Sequence, residues 1–212
     1  MDKERINLEN KEKTPNPEKA VLNYVAFSLI WSLGANIHED SRILFGEYFR
    51  IEMRKHMEDF PDSDVYEYGL DTNRHQLESW SEQISDFKFD PERSFFEILV
   101  PTSDTAKYKF LLNTLMYNSF NVLFIGETGV GKSVITNDFL MTAHDNFVSA
   151  SVNFSGKTTS NNLQSAFEDK LEERRKNLLG PPSGKKMIFF IDDINMPQKE
   201  KYGAQPPIEL LR

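Results

Sequence analysis

The sequence predicts an α/β protein in which a mainly helical region precedes a parallel sheet core. Between Asn121 and Asp192, short apolar runs alternate with helix-type patterns. The order strand, helix, strand, helix, strand is typical of a parallel sheet with helices packed on it. Before residue 95, caps and apolar spacing favour helices. The predicted division is a polar, disordered tail at 1–15, a helical lead-in region at 16–94 and the α/β domain at 95–212.

The bulk composition excludes several classes of function. The chain has 212 residues, a net charge of −8 and no cysteine. General binding to nucleic acid or to a membrane surface requires basic patches, which this acidic balance disfavours. Without cysteine there are no disulfides, thiolate zinc sites or cysteine nucleophiles. The N-terminus lacks the apolar core of a signal peptide, and the apolar stretch VLNYVAFSLIWSL is shorter than the ~20 residues of a membrane span. We therefore expect a soluble intracellular protein.

Two helices are predicted in the lead-in region. The triplet Asn16-Pro17-Glu18 supplies a cap, a proline at the first position and an acid in the first turn. Gly34 is well placed to end that helix. A second helix starts at Asp40 or Ser41 and runs to about Glu58. Trp31 and Trp80 are predicted to anchor the core.

The segment between these helices and the α/β core is irregular. The stretch FPDSDVYEYGLDTNRHQ is rich in turn residues, and a short helical or irregular piece follows around Trp80. FFEILVP predicts a strand at 95–100 that Pro101 closes. Thr102 or Ser103 then caps a helix to about Asn118.

The α/β core contains three predicted strands and two predicted helices. NVLFI is a short apolar run that ends at a glycine, and a helix follows from Lys132 to about Ala143. FVSASVNF alternates as a strand does, and SNNLQSAFEDKLEERRKN has the apolar face of an amphipathic helix. MIFFID is the last strand.

The segment GETGVGKS predicts a phosphate-binding loop between the first strand and its helix. Its pattern is G-x-x-x-x-G-K-[ST]. Glycines let the backbone turn its N–H groups inward around the β-phosphate, and the new helix adds its positive end. Lys132 would reach the β- and γ-phosphates, and Ser133 would offer its hydroxyl to Mg²⁺. The predicted nucleotide-binding residues are Gly126, Glu127, Thr128, Gly129, Val130, Gly131, Lys132 and Ser133.

The last predicted strand ends in two acids, Asp192 and Asp193. A carboxylate at a strand end opposite a phosphate loop is a typical Mg²⁺ partner, and this role falls to Asp192 with Ser133. An ATPase base at the next position is usually glutamate. Aspartate withdraws the carboxylate by roughly 1.5 Å, and a ~1 Å misplacement lowers a rate by ~10²-fold. Asp193 is therefore a slow base, a base compensated by a backbone shift, or a structural acid.

The longer segments carry a resemblance to a known family. GETGVGKS, VNFSGKTTS and GPPSGKKMIFFIDDINMPQKEKYGAQPPIELLR resemble the third AAA+ module of a dynein heavy chain, of the axonemal rather than the cytoplasmic type. FSLIWSLGANIHEDSR, FPDSDVYEYGLD and VPTSDTAKYKFLLNTL are similar to the lead-in to that module. The resemblance covers about residues 20 to 212.

The resemblance implies an ATP-binding module in a microtubule motor. In that family one heavy chain carries a ring of six AAA+ modules. The first drives most turnover, and the third binds nucleotide and regulates signalling to the microtubule-binding stalk. The implied cofactors are ATP or ADP and Mg²⁺. The implied partners are the neighbouring modules, microtubules through the whole motor, and dynein intermediate and light chains, with no nucleic acid or membrane. The implied locations are the cytoplasm, the cytoskeleton and the ciliary axoneme.

The resemblance also assigns roles to further residues. Asp193 takes the water-activating position. Asn153 resembles the polar switch residue of AAA+ proteins, with a strand-end asparagine that caps a turn as the alternative. The segment around Leu99, Val100 and Thr102 is similar to the one that packs on adenine, with an edge strand closing the core as the alternative.

The sequence departs from the family in one respect. Two further strands, a sensor residue, an arginine finger and a helical lid are expected after the acidic strand, yet the sequence ends at Arg212. We therefore expect an AAA+ core that is incomplete at its C-terminus, with an exposed strand edge and little hydrolysis by the fragment alone. The alternative function is a truncated structural or interaction segment with weak or no nucleotide binding. The sequence contains no Asn-Lys-x-Asp motif, with which a GTPase recognises guanine. The acidic pair and the long segment after it disfavour a metabolite kinase.

Overall fold

A computed structural model describes residues 16–84 and 99–212. The described residues fall into two compact units: the first contains 16–84 and 100–111, and the second contains Leu99 and 112–212. The predicted disordered tail at 1–15 lies outside the described residues. So does most of the predicted strand at 95–100, and its last two residues are not in a strand.

The first unit is helical with one small antiparallel sheet. Its elements are helix α1 (Pro17–Ser32), a 3₁₀ turn (Gly34–Asn36), helix α2 (Glu39–Arg54), a 3₁₀ turn (Val65–Glu67), strands β1 (Tyr68–Asp71) and β2 (Gln76–Ser79), and the first part of helix α3 (Ser103–Tyr117).

The predicted N-terminal cap of the first helix is confirmed, as is the end of this helix near Gly34. The Asn16 side chain accepts a hydrogen bond from the Glu18 backbone N–H at 3.1 Å, and the helix ends at Ser32, just before Gly34. Helix α2 begins at Glu39 and ends at Arg54, so it ends before the predicted limit at Glu58.

The turn-rich segment before Trp80 contains an antiparallel hairpin that the sequence pattern did not predict. Strands β1 and β2 pair from Tyr68 opposite Ser79 to Asp71 opposite Gln76. Trp80 follows β2 directly, is fully buried, and donates its indole N–H to the Tyr66 carbonyl at 3.1 Å. The prediction that Trp80 anchors the core is therefore confirmed. The buried core of this unit is formed by Ala26, Ile30, Phe49, Met53, Met57, Phe60, Val65 and Tyr66.

The second unit contains a parallel strand pair and the remaining helices. Its elements are the end of α3, helix α4 (Lys132–Thr142), strand β3 (Phe147–Asn153), helix α5 (Ser160–Glu168), strands β4 (Glu172–Arg175), β5 (Leu178–Gly180) and β6 (Lys186–Asp192), and the short helix α6 (Pro206–Glu209). Strands β3 and β6 pair in parallel over their full lengths. The predicted parallel α/β arrangement of these strands is confirmed.

The prediction of a strand at NVLFI is wrong in this structure. Residues 121–127 have no regular secondary structure. Their side chains still alternate as in an extended chain: Val122 and Phe124 pack against the core, whereas Leu123 is 65% and Ile125 86% exposed. An extended segment becomes a strand only when its backbone pairs with a neighbour, and these residues are paired with no strand of the described chain.

The predicted helix at SNNLQSAFEDKLEERRKN is also shorter than expected. Helix α5 ends at Glu168, and an antiparallel hairpin of β4 and β5 follows. Asn177 adopts a positive φ of 64° in the turn of this hairpin, a conformation that asparagine tolerates better than most residues. The side chains of β4 are all exposed, so no apolar face holds this stretch against the core as a helix.

Candidate nucleotide-binding site

The phosphate loop has the backbone geometry that its glycines permit. Gly129 and Gly131 have φ angles of 87° and 88°, in the left-handed region. A Cβ at either position would meet no atom within 4 Å, so these glycines are required by backbone conformation rather than by crowding. Gly131 is the N-cap residue of α4, and its carbonyl accepts the Ile135 N–H at 3.0 Å. The loop therefore leads directly into the positive end of a helix.

Lys132 lies against this loop. Its ammonium group donates hydrogen bonds to the Gly126 carbonyl at 3.0 Å and to the Glu127 carbonyl. Both acceptors are neutral oxygens of the loop backbone, and an anionic phosphate oxygen is a stronger partner for an ammonium group. The side chains of Glu127, Thr128 and Val130 are exposed. The donors that these three residues can offer to a phosphate are their backbone N–H groups and the hydroxyl of Thr128.

One apolar cluster connects the helix behind the loop with the acidic strand. It contains Ile135 and Phe139 from α4, Ile188 from β6 and Leu112 from α3, and all four are at most 8% exposed. The helix that follows the loop and the strand that carries the acid pair therefore share one packed core.

The parallel pairing brings two predicted site residues together. Asn153, the last residue of β3, is aligned with Asp192, the last residue of β6. The Phe154 N–H extends the ladder by donating to the Asp192 carbonyl at 3.0 Å. Both polar side chains therefore stand at the carboxyl end of the sheet, where ligands of parallel sheets bind.

The acid pair has an unusual backbone. Asp193 has a φ of 54°, which is left-handed, and its N–H donates to the Asp192 carboxylate Oδ1 at 3.0 Å. Its carbonyl accepts the Met196 N–H at 2.9 Å, which closes a turn. This conformation turns the chain at Asp193 away from the direction of the strand.

The residues at this site fit a magnesium nucleotide. Among the described residues, no three acidic or histidine side chains form a group that could hold a metal. Mg²⁺ needs no such group when a nucleotide supplies oxygens, because one or two carboxylates with phosphates and water complete its coordination. Asp192 uses Oδ1 for one hydrogen bond, and a carboxylate has further acceptor capacity. Ser133, in the first turn of α4, supplies a hydroxyl.

The residues predicted to pack on adenine, Leu99, Val100 and Thr102, lie in different local environments. Leu99 packs against the core of the second unit, whereas Val100 is 56% exposed. Thr102 caps α3, as predicted: its hydroxyl accepts the Thr105 N–H at 3.2 Å, and its own N–H donates to the Thr105 hydroxyl at 2.7 Å.

Comparison with known proteins identifies the family. A family model described as "P-loop containing dynein motor region" matches residues 87–212, and one described as "Dynein heavy chain AAA lid domain" matches residues 1–82. The chain belongs to the dynein heavy chain family. The predicted family is thereby confirmed, whereas the position of this module within a heavy chain stays a prediction.

Curated relatives of this dynein chain carry axonemal names. Dynein axonemal heavy chain 6 of Homo sapiens is 37% identical over 220 residues, which cover 100% of this chain and 5% of that protein. Dynein axonemal heavy chain 1 of Mus musculus is 36% identical over 232 residues, covering 100% and 6%. Dynein axonemal heavy chain 12 of Mus musculus is 40% identical over 204 residues, covering 88% and 7%. The chain thus spans only a small part of the length of these relatives.

Two features of this dynein region were not found from the sequence. The lead-in helices match a lid domain, which the apolar spacing alone does not distinguish from any other helical segment. Gln205, described below, lies beyond the acid pair in a segment that carries the family resemblance, but the sequence alone assigns it no role. In the described residues, no helix is long and apolar enough to cross a membrane.

Proposed function

We propose that this chain is an Mg-ATP-binding AAA+ module of an axonemal dynein heavy chain. The observation that carries this proposal is the loop itself. Gly129 and Gly131 adopt the left-handed conformation at the N-terminus of α4, and the Lys132 ammonium group lies against the loop carbonyls. A match to a dynein P-loop region over residues 87–212 supports it.

Each site residue then has a chemical role. The backbone of residues 126–133 binds the phosphates of ATP or ADP, and Lys132 neutralises them. Ser133 and Asp192 would hold Mg²⁺, which would offset the negative charge of the phosphates. Asp193 takes the position that orients the attacking water. Asn153, aligned with Asp192, restrains the acid pair through its amide.

The position of the module in the motor follows from the resemblance. We propose the third of six modules, where nucleotide binding regulates the motor rather than drives it, in ciliary movement at the axoneme. Its direct partners are then the neighbouring modules of the same heavy chain. Microtubules and the intermediate and light chains are partners of the complete motor. The Leu99–Thr102 segment is the candidate contact for adenine.

The test is a titration of the chain with Mg-ATP. The substitution Lys132→Ala removes a charge-assisted contact worth about 1.5–3 kcal/mol, which corresponds to a roughly 10- to 100-fold weaker affinity. Lys176→Ala is the matched control, because Lys176 is exposed in the β4–β5 turn. The Lys176→Ala variant should bind Mg-ATP with the same affinity as the parent chain. Equal affinity of Lys132→Ala and parent, or no binding by the parent, would contradict the proposal and favour a structural segment without nucleotide.

A further inference from the structure

One side-chain amide fastens the chain just beyond the acid pair. Gln205 donates from Nε2 to the Pro197 carbonyl at 2.6 Å and to the Asn195 carbonyl at 3.3 Å. These two acceptors lie on either side of Met196. Gln205 itself is the N-cap residue of α6. Its hydrogen bonds therefore connect the two ends of the loop at 198–204.

The backbone that Gln205 holds is the turn that starts at the acids. The Asp193 carbonyl accepts the Met196 N–H at 2.9 Å, and the Asp193 N–H donates to Asp192 Oδ1 at 3.0 Å. The left-handed φ of Asp193, 54°, lies within this turn. A conformation of this kind costs free energy in a non-glycine residue, less in aspartate than in most, and surrounding contacts stabilise it.

We infer that Gln205 is a positioning residue for the acid pair, an inference that rests on the proposed function. Its NH₂ group provides two donors on one atom, which suits two carbonyl groups flanking a single residue. By fixing residues 195 and 197, it holds the turn closed and Asp193 left-handed. The Asp192 carboxylate then stays aimed for Mg²⁺ rather than following a relaxed backbone.

If Gln205 positions the acid pair, it should affect only the Mg²⁺-dependent part of ATP affinity. Gln205 acts through the acids and touches no phosphate, so its loss should weaken only the part of ATP binding that depends on Mg²⁺. A residue that merely supports the fold would weaken binding equally with and without the metal. The ratio of ATP affinities in Mg²⁺ and in EDTA therefore separates the two roles.

The experiment compares this ratio for the parent, Gln205→Glu and Gln205→Ala. Gln205→Glu keeps the shape of the side chain but replaces both donors with a carboxylate facing two carbonyls. We expect it to lower the ratio by about tenfold, since a net hydrogen bond is worth about a tenfold change at its upper range. Gln205→Ala should lower the ratio to a similar extent, and the affinity in EDTA should match that of the parent for both variants.

Gln198→Ala is the matched control. Gln198 lies in the same loop, is exposed, and donates no side-chain hydrogen bond to the described residues. Its ratio should equal the parent ratio. An unchanged ratio in both Gln205 variants, or equal losses in Mg²⁺ and EDTA, would overturn the inference while leaving the proposed function standing. A parent that binds no ATP would instead overturn the proposed function, and the inference with it.

Discussion

At the scale of single residues, the acid pair is where side-chain chemistry and backbone conformation depend on each other. Side-chain length alone suggests that Asp193 is set back from the position of a longer acid. The structure adds a left-handed backbone at this residue, which aspartate tolerates better than most side chains because its short polar group forms local hydrogen bonds. The turn by itself therefore favours aspartate at position 193.

The role of Asp193 is tested by the substitution Asp193→Asn. Asparagine also tolerates the left-handed conformation, so the turn should be retained. It cannot accept a proton from water, so ATP turnover should fall by roughly 10²- to 10⁴-fold, the usual contribution of a general base. ATP affinity should be unchanged within about twofold, because binding rests on the loop and the metal. Phosphate release and equilibrium titration measure the two quantities.

The control for that variant is Asp169→Asn, since Asp169 is an exposed residue at the C-terminus of α5. Its turnover and affinity should match the parent. Turnover by Asp193→Asn at the parent rate would assign Asp193 a structural role.

At the scale of elements, the β1–β2 hairpin is fixed by one close approach of a backbone to a ring. A Cβ at Gly69 would lie 2.4 Å from Trp80 Cζ3 and 2.5 Å from Cη2. Trp80 is fully buried, and its ring packs against Trp31 with centroids 6.2 Å apart. The ring therefore has no open direction in which to move.

The substitution Gly69→Ala should destabilise the first unit by about 1–3 kcal/mol, the usual range for overpacking a core. Urea unfolding followed by tryptophan fluorescence reports this unit, because Trp31 and Trp80 are the two tryptophans of the chain and both lie in it. The expected result is a lower midpoint.

Gly46→Ala is the control in the same unit. Its added Cβ would have its nearest contact at 3.4 Å, from Val65, and alanine is favoured over glycine within a helix by about 0.5–1 kcal/mol. The midpoint should stay the same or rise. A Gly69→Ala midpoint equal to that of the parent would show that Trp80 is held less tightly than its burial indicates.

The elements also show what the sequence could and could not predict. Helix starts were predicted well because caps such as Asn16 and Thr102 act through their immediate neighbours. The prediction of a strand at NVLFI was wrong because a strand forms only when its backbone pairs with a neighbouring strand. Local apolar spacing does not specify that neighbour. The same limit applies to 172–180, where a charged sequence pairs with itself as a hairpin. In the site, the loop motif and the acids were found from pattern, whereas the left-handed Asp193 and the Gln205 contacts depend on tertiary folding.

At the scale of the whole molecule, the two units correspond broadly to two dynein family models. The lid model matches residues 1–82, and the P-loop motor model matches residues 87–212. Helix α3 is continuous across the division, since residues 103–111 belong to the first unit and 112–117 to the second. The domain boundary predicted between residues 94 and 95 stays a prediction.

Several large apolar side chains are exposed in the described residues. On α2, Ile43, Leu44, Tyr48 and Ile51 are each 61–69% exposed, and Leu123 and Ile125 are exposed beside the phosphate loop. Exposed apolar patches mark interaction sites in soluble proteins when they are contiguous and large. The relatives are far longer than this chain, which covers 5–7% of their length. Within the proposed function, neighbouring modules are the partners for these surfaces.

In the proposed function, the backbone of the 126–133 loop binds the phosphates of Mg-ATP. Amide hydrogen exchange of the unmodified chain, with and without Mg-ATP, tests this most directly because it reports on the N–H groups themselves. We predict slower amide exchange at residues 127–133 when Mg-ATP is added. Exchange in the β1–β2 hairpin at 68–79 should stay unchanged and serves as an internal reference. Unchanged exchange in the loop at saturating Mg-ATP, or slowing confined to other segments, would contradict it.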